Sequence, residues 1–576
     1  MNNAQIAARF EQLADLLEFD GANAFRIRAY RNAARTIENL PRQIADLVEA
    51  GEDLTKLEGI GKDLAEKCVV LVETGQLKQL DELLEKIPAS VLAMLRIPGL
   101  GPKKAAVLYH ELTIANLEDL RLACEQHRVR ELKGFAAKTE ETILEGIDLA
   151  ATADDRVYWA AADQIVNSLL EHLKTCSAIE KIEAAGSYRR GQETVGDIDI
   201  LTVATEVTPV MDRLAEFPEL ETILARGETK MSIRLTDGMQ VDLRVVPEES
   251  FGAALQYFTG SKQHNVKVRG IAKQMGLKIN EYGVYRLHND AEPEYLAGKT
   301  EEEVYATLDL PWFPPELREN RDEFQWVTAD GPRLIELEDL RGDLHMHTTA
   351  TDGKHSLEEM AEAAIAVGHQ YIAITDHSQR VSMANGLTAE RLREQWKQID
   401  KLNEKLDGKI LVLKGIECDI LEQGGMDLPD NVLAEADWVI ASIHYGQKQS
   451  REQITDRILG ALNNPHVTML AHPTGRLLNR RPPYEVDLEA VFQAAKENHK
   501  LLELNANPAR LDLNDVHCHA AQAQGIPLVI NSDAHSIDGL GVLRYGIKQA
   551  RRGYLQKQDV ANTKSWKQIQ KLLGRG

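Results

Sequence analysis

Apolar residues in the first eighty-five positions recur at helical spacing, beginning with Ile6, Phe10, Leu13, Leu16 and Leu17, and predict helices that bury one face. From about Tyr158 the pattern changes to strands mixed with helices. Gly196-Asp197-Ile198-Asp199-Ile200-Leu201 alternates acid with apolar residue, which predicts a half-buried strand with Asp197 and Asp199 on one face and Ile198 and Ile200 behind them. Gly238 to Val246 alternates in the same way and carries one acid, Asp242. The prolines of Leu310-Pro311-Trp312-Phe313-Pro314-Pro315 exclude a helix, and the charged stretch to about Leu340 predicts a tether that lets two modules move or wraps one around the other. Beyond it, strand, polar tip and helix alternate to the end of the chain, the pattern of a (β/α) barrel with its ligands at the strands' C-terminal ends. The predicted segments are 1–85, 86–155, 156–250, 251–316, 317–340 and 341–576.

At about 100–200 residues per domain, 576 residues suggest three to five domains, and 43 % hydrophobic content suits folded ones. Cys68, Cys124, Cys176, Cys418 and Cys518 are scattered without a Cys-x-x-Cys pair, so neither a disulfide framework nor a zinc finger is expected, and a reducing, cytoplasmic setting is. No apolar run approaches the ~20 residues of a membrane span. A soluble, unprocessed monomer with no membrane partner is the expectation. A net charge of −23 excludes a broadly basic nucleic-acid surface. Any DNA affinity is then predicted to be modest, salt-sensitive and reliant on local basic groups and metal ions.

Such local features exist. Gly186-Ser187-Tyr188-Arg189-Arg190-Gly191 offers glycines for close backbone approach, the Ser187 hydroxyl and two guanidinium groups, as a triphosphate requires. Paired carboxylates at Asp197 and Asp199 are tolerated best around a divalent cation, and with Asp242 they make a two-metal centre for phosphoryl transfer, holding Mg²⁺ or Mn²⁺. An isolated Asp-x-Asp is usually an exposed strand edge; the adjoining Gly-Ser and Arg-Arg elements change that reading. Leu57-Glu58-Gly59-Ile60-Gly61-Lys62 and Ile97-Pro98-Gly99-Leu100-Gly101-Pro102-Lys103 each place Gly-hydrophobic-Gly at a helix start, where backbone N–H groups can grip a phosphate while Ile60 or Leu100 anchors the turn. Lys133 to Lys138 lacks the second glycine and is read as structural. Arg26, Arg28, Arg31 and Arg35, with Tyr30 among them, form a basic strip that suits DNA or a solvated helix face.

Together with Tyr257-Phe258-Thr259-Gly260-Ser261, Asn265 and Arg269, these elements stand in the order found in family X DNA polymerases, and residues 1–315 resemble the DNA polymerase beta group. The resemblance implies an 8-kDa-like DNA-binding and lyase-like domain (1–85), helix-hairpin-helix fingers (86–155), a nucleotidyltransferase palm (156–250) and a thumb-like domain (251–316). It implies Asp197, Asp199 and Asp242 as metal ligands, Ser187, Arg190 and Gly196 at the triphosphate, Tyr257, Phe258 and Gly260 at the sugar, and Asn265 and Arg269 at the nascent base pair. It also implies a cis Gly260–Ser261 peptide, and Lys67 as a Schiff-base lysine, with a plain surface lysine as the alternative. Lys262 stands where the family often has an acid. Deoxynucleoside triphosphates and gapped or nicked duplex DNA are the implied substrates.

Past the linker, histidines and acids recur at predicted strand ends, in Asp343-Leu344-His345-Met346-His347, Thr351-Asp352-Gly353, Ile374-Thr375-Asp376-His377, Gly415-Ile416-Glu417-Cys418-Asp419, Ser442-Ile443-His444, Ala471-His472-Pro473 and Asn531-Ser532-Asp533-Ala534-His535. Mixed nitrogen and oxygen ligands imply several ions, Mn²⁺ or Zn²⁺. The ordered set resembles the PHP (polymerase and histidinol phosphatase) domain over about 335–576, and the resemblance implies nine ligands, His345, His347, Asp352, His377, Glu417, His444, His472, Asp533 and His535, with Glu417 as bridging carboxylate. His355 fits the spacing less well, and His517 and His519 diverge on a helix and are read as structural. The resemblance implies a 3′→5′ exonuclease, with abasic-site endonuclease and 3′-phosphatase activity as further expectations. The resulting reading is a DNA repair polymerase joined to a 3′-end-processing nuclease. The alternatives are a histidinol-phosphate-type phosphoesterase with a vestigial polymerase half, and a non-enzymatic DNA scaffold.

Overall fold

The computed structural model describes residues 1–576 except 2, 39, 41, 58, 89, 96, 98, 99, 141, 142, 145, 146, 148–155, 289, 290, 326–332, 575 and 576. The chain divides into two compact units. One comprises 1–156 with 218–227 and 231–241, and the other 157–217, 228–230 and 242–576.

The first unit is helical at its N-terminal end, with α1 (Asn3–Phe19), α2 (Ala24–Glu38), α3 (Lys62–Thr74) and α4 (Pro102–Leu112). The predicted 1–85 and 86–155 segments share one hydrophobic core that runs from Ile6 to Ile147. Phe19 of α1 meets Tyr109 of α4 edge-on at 5.6 Å. Ile60 and Leu100 are both buried, so each turn is pinned from beneath by its central apolar residue.

In the second unit, α5 (Trp159–Lys174) leads to the antiparallel strands β1 (Ile179–Ala184) and β2 (Asp197–Ala204), paired from Ile179↔Ala204 to Ala184↔Ile200. Ile198 and Ile200 are buried and Asp197 is exposed, as the alternation predicts. Asp242 lies in β3 (Gln240–Val245), and α6 (Phe251–Thr259) and α7 (Lys262–Gln274) follow, joined through a cis Gly260–Ser261 peptide.

The C-terminal part is a seven-stranded parallel sheet in sequential order: β4 (Gly342–Met346), β5 (Tyr371–Ile374), β6 (Leu411–Asp419), β7 (Trp438–Ser442), β8 (Met469–Leu470), β9 (Leu501–Asn505) and β10 (Leu528–Asn531). A parallel bridge between Met346 and Ala534 brings the first and last strands together, so the sheet curls into a barrel. Both faces are buried, as a parallel sheet flanked by helices requires. In β5, Tyr371 and Ala373 fill the interior cluster with Leu344, Trp438 and Met469, while Ile372 and Ile374 pack outward against the helices. The last helix used below is α8 (Leu543–Arg552).

The described part of 317–340 is not an extended tether. Arg318 is fully buried, its guanidinium paired with Glu301 and its Nε donating to the Phe313 carbonyl at 2.9 Å. Glu323 is buried too, 2.9 Å from His264 Nδ1. Several of the charges that suggested a solvated segment have partners, some of them in the C-terminal part: Glu316 meets Lys548 and Arg551, and Arg321 meets Asp515. The segment wraps.

Candidate active sites

The Gly186 turn and the carboxylates expected at the polymerase centre lie together at the ends of β1 and β2. A four-residue helical turn, Gly186–Arg189, follows β1, and the Ala185 amide donates to the Asp199 carbonyl at 2.8 Å. Gly186 has φ +63, and a Cβ there would sit 2.5 Å from Asp199 Oδ2, so only glycine lets the turn close on the acid. Ser187 Oγ is buried with no hydrogen-bond partner among the described residues. Burial first, and then the charges of Asp197 and Asp242, push Asp199 up to about 7. Lys230 lies 3.5 Å from Asp242, and yet the cluster is short of positive charge. A crowded carboxylate trio beside an unpartnered hydroxyl fits divalent cations with a phosphate.

Other residues differ from expectation. Arg189 is structural: both terminal nitrogens donate to Glu301, at 2.8 and 2.9 Å, and the Arg318 guanidinium meets the same carboxylate. Burial alone would raise Glu301, but the two arginines hold its carboxyl far below the usual range. Arg190 donates through Nε to Glu319 at 3.0 Å and through Nη1 to the Thr259 carbonyl at 2.6 Å, so it braces the turn against α6. Tyr257 and Phe258 meet edge-on at 5.1 Å, and Arg244 lies over the Phe258 ring. Asn265, expected at a base edge, is 7 % exposed; its amide accepts from Gln256 at 2.7 Å and donates to the Tyr257 carbonyl at 2.7 Å. It ties the Tyr257 backbone to α7. Arg269 is exposed one turn further along α7.

In the first unit, a Cβ on Gly61 or Gly101 would meet nothing within 4 Å among the described residues, at the starts of α3 and α4, with Lys103 exposed beside the second. Gly59 has φ +75; Gly99 lies outside the described residues. Tyr30 is not on the surface. It is 1 % exposed, packed edge-on against Phe10, with its hydroxyl donating to Gln79 at 2.9 Å, because it shares the buried face of α2 with Ile27, Ala34 and Ile37. Arg26 and Arg28 are exposed, but Arg31 is paired with Asp15 and Glu18, which weakens the basic strip. Lys67 is paired with Asp63 and lies 5.7 Å from the Tyr30 ring centre.

In the barrel all nine predicted ligands meet at the strands' C-terminal ends. Glu417 is the hub. His377 Nδ1 lies 2.9 Å from its carboxylate, His472 Nε2 3.1 Å, His345 3.4 Å, His444 3.5 Å and His347 3.6 Å. Asp352 lies 3.4 Å from His535 and 3.6 Å from His377, and Asp533 lies 3.1 Å from His347. Three overlapping groups bring ligand atoms within 4.8 Å of one another: His347, Asp352, His377 and His535; His345, His347 and Asp533; His377, Glu417 and His444. His472 and Asp533 have φ of +29 and +53, unusual for non-glycine residues and concentrated at functional sites. Among the described residues, His345 Nε2, His347 Nδ1 and Glu417 Oε2 are buried without hydrogen-bond partners, the donor set several cations would satisfy.

The sequence reading missed the residues behind these ligands. Glu503 lies 2.7 Å from His345 Nδ1 and accepts from the His472 amide at 2.8 Å, and Asp419 lies 3.1 Å from His444 Nδ1. Each fixes the ring whose other nitrogen faces the centre. His517 and His519 lie away from it; His519 pairs with Asp322.

A nucleotidyltransferase palm and a multi-ligand barrel in one compact unit define a family X DNA polymerase carrying a PHP domain. Family models match in that order: a helix-hairpin-helix domain (1–77), a SAM-like helix-hairpin-helix tandem (91–148), DNA polymerase beta palm (157–258), DNA polymerase beta thumb (254–319) and PHP domain (343–507). The chain is 42 % identical, over the whole of both proteins, to the DNA polymerase/3′-5′ exonuclease PolX of Bacillus subtilis strain 168, and it belongs to the PolX family. DNA polymerase lambda of Rattus norvegicus is 26 % identical over 55 % of this chain and 56 % of its own length. A probable phosphatase of Thermoanaerobacter sp. strain X514 is 30 % identical over 38 % of this chain and 89 % of its own. No described helix is long and apolar enough to cross a membrane.

Proposed function

We propose that this protein is a cytoplasmic, monomeric DNA repair enzyme that fills short gaps by template-directed nucleotidyl transfer and trims 3′ ends with its PHP half. DNA and deoxynucleoside triphosphates are its substrates; gapped or nicked duplexes are the preferred form. The observation that carries the reading is that two complete ligand sets, Asp197, Asp199 and Asp242 at one centre and nine residues around Glu417 at the other, occur in one chain.

At the polymerase centre the trio would hold Mg²⁺ or Mn²⁺, with Ser187 and the backbone of the Gly186 turn and Gly196 receiving the triphosphate. Tyr257, Phe258 and Gly260 wall the sugar, Asn265 keeps Tyr257 in register, and Arg269 faces the template side. At the PHP centre the nine residues would hold Mn²⁺ or Zn²⁺. When bound, the ions supply Lewis-acid stabilisation of the phosphoryl group. Glu503 and Asp419 set the imidazoles of His345 and His444 in one orientation. Abasic-site incision and 3′-phosphate removal use the same phosphoester chemistry and belong to the proposal. Gly59, Gly61, Gly99, Gly101, Lys103 and Arg26 would grip the DNA backbone. Lys67 would act as a lyase nucleophile only after leaving Asp63 and losing its proton.

The test is one gapped substrate assayed with Mg²⁺ and with Mn²⁺. Asp242→Ala is expected to abolish extension and spare hydrolysis, and His345→Ala to do the reverse. Extension left intact in both variants would sink the polymerase assignment. A vestigial polymerase half predicts no extension by the parent chain.

A further inference from the structure

The nucleotide-binding turn is held from outside the polymerase half. Arg552 of α8 donates to the Arg190 carbonyl at 3.0 Å and to Glu319 Oε1 at 2.9 Å, the same oxygen that orients Arg190 Nε. Three residues on, Glu193 accepts from Arg476 Nη1 at 3.1 Å and from Gln549 of α8 at 2.6 Å. Gly191 lies between them with φ +66, and a Cβ there would be 3.4 Å from Lys548 Cδ. Arg476, Gln549 and Arg552 are 8 %, 1 % and 3 % exposed, so the barrel side of these bonds is shielded from water. Arg476 stands four residues after the ligand His472, and its Nε donates to the Arg510 carbonyl at 2.9 Å. Side chains of the barrel therefore join Glu319 in fixing Arg190 to Glu193.

We propose that Arg476, Gln549 and Arg552 of the hydrolase half are positioning residues for the polymerase's nucleotide site, setting the angle at which Ser187 and the backbone of the Gly186 turn meet the triphosphate. The inference rests on reading Ser187 to Asp199 as that site. It follows from geometry: the turn leaves β1 and enters β2 within a dozen residues, and its outer edge bonds to the barrel. Loss of a buried bond there tilts donors that must align to well under 1 Å, a displacement felt in substrate binding first. The PHP half thus serves polymerisation without contributing any atom to it.

The experiment uses the full chain carrying Glu193→Gln or Gln549→Met, with steady-state extension on a gapped duplex and 3′ hydrolysis of the same primer measured side by side. Glu193→Gln is expected to raise the dNTP KM roughly tenfold with kcat within about threefold, while hydrolysis stays within about twofold. Gln549→Met is expected to shift KM in the same direction by a few-fold. An unchanged dNTP KM in both variants overturns the proposal. So does a parallel fall of extension and hydrolysis in both, which a plain packing role produces. Absence of extension by the parent chain would instead remove the function on which the inference stands.

Discussion

A lone acid in an apolar strand is costly unless paired or bound to metal, and that cost made Asp242 readable from sequence. Glu503 carries the same signature within Leu501-Leu502-Glu503-Leu504-Asn505 but belongs to no ligand pattern, because its partner is a histidine nitrogen 158 positions away. Substituting Gln at Glu503 keeps the volume and removes the charge that orients His345. Metal affinity at the PHP centre is expected to fall by about 10–100-fold, read by titration of the metal-free full chain; unchanged affinity would reduce Glu503 to packing. Tyr30 shows the opposite lapse. Its neighbours at spacings of three and four, Ile27, Ala34 and Ile37, already traced the buried face of α2, and the arginines around it obscured that pattern. Asn265 was assigned to a base edge by resemblance; that its amide is engaged by Gln256 and Tyr257 depends on how α6 meets α7, which no local pattern encodes.

Among the elements, the segment after Phe313 departs most from its sequence. Prolines and dense charge read as solvated tether because the partners of those charges lie far along the chain. Glu316 shows what the pairing does. Burial pushes its carboxyl up, but Lys548 and Arg551 outweigh this and hold it at about 2, against an ordinary 4.5. A depressed pKa means the folded form binds its proton less readily than the unfolded form, so the pair's stabilisation is complete above about 4.5 and is lost as pH falls toward about 2. Denaturant unfolding followed through that window should show the loss, and Glu316→Gln should flatten it. A profile the same with and without Glu316 would show that the pair is electrostatically idle. The barrel strands, in contrast, were readable: an apolar run ending in a histidine or acid, repeated in order, leaves little freedom once parallel strands must be covered by helices.

For the whole molecule, the acidic balance of −23 leaves DNA binding to small patches. Exposed Lys103 beside Gly101 is the clearest of them. Lys103→Ala is expected to weaken binding about equally across sequences and to reduce the salt slope by about one. Fluorescence anisotropy on gapped duplexes over a salt series measures both, and an unchanged slope would remove Lys103 from the interface. The order of modules was legible because each carries its own motif; the join between palm and barrel was not, since Glu193, Arg476 and Gln549 are unremarkable in sequence and become partners only in the folded chain.

Burial of Arg318 bears on where this protein can be divided. A fragment ending just before residue 317 would keep Glu301 but lose Arg318, and would keep His264 but lose Glu323, leaving a carboxylate and an imidazole in an interior built for their partners. A fragment beginning at 341 would strip Lys548 and Arg551 of Glu316. The proline-rich stretch that looks like a seam is thus a poor place for scissors, whether a protease's or an engineer's. Residue 156 is no cleaner a seam, because 218–227 and 231–241 belong to the same compact unit as 1–156 and a cut there would divide it.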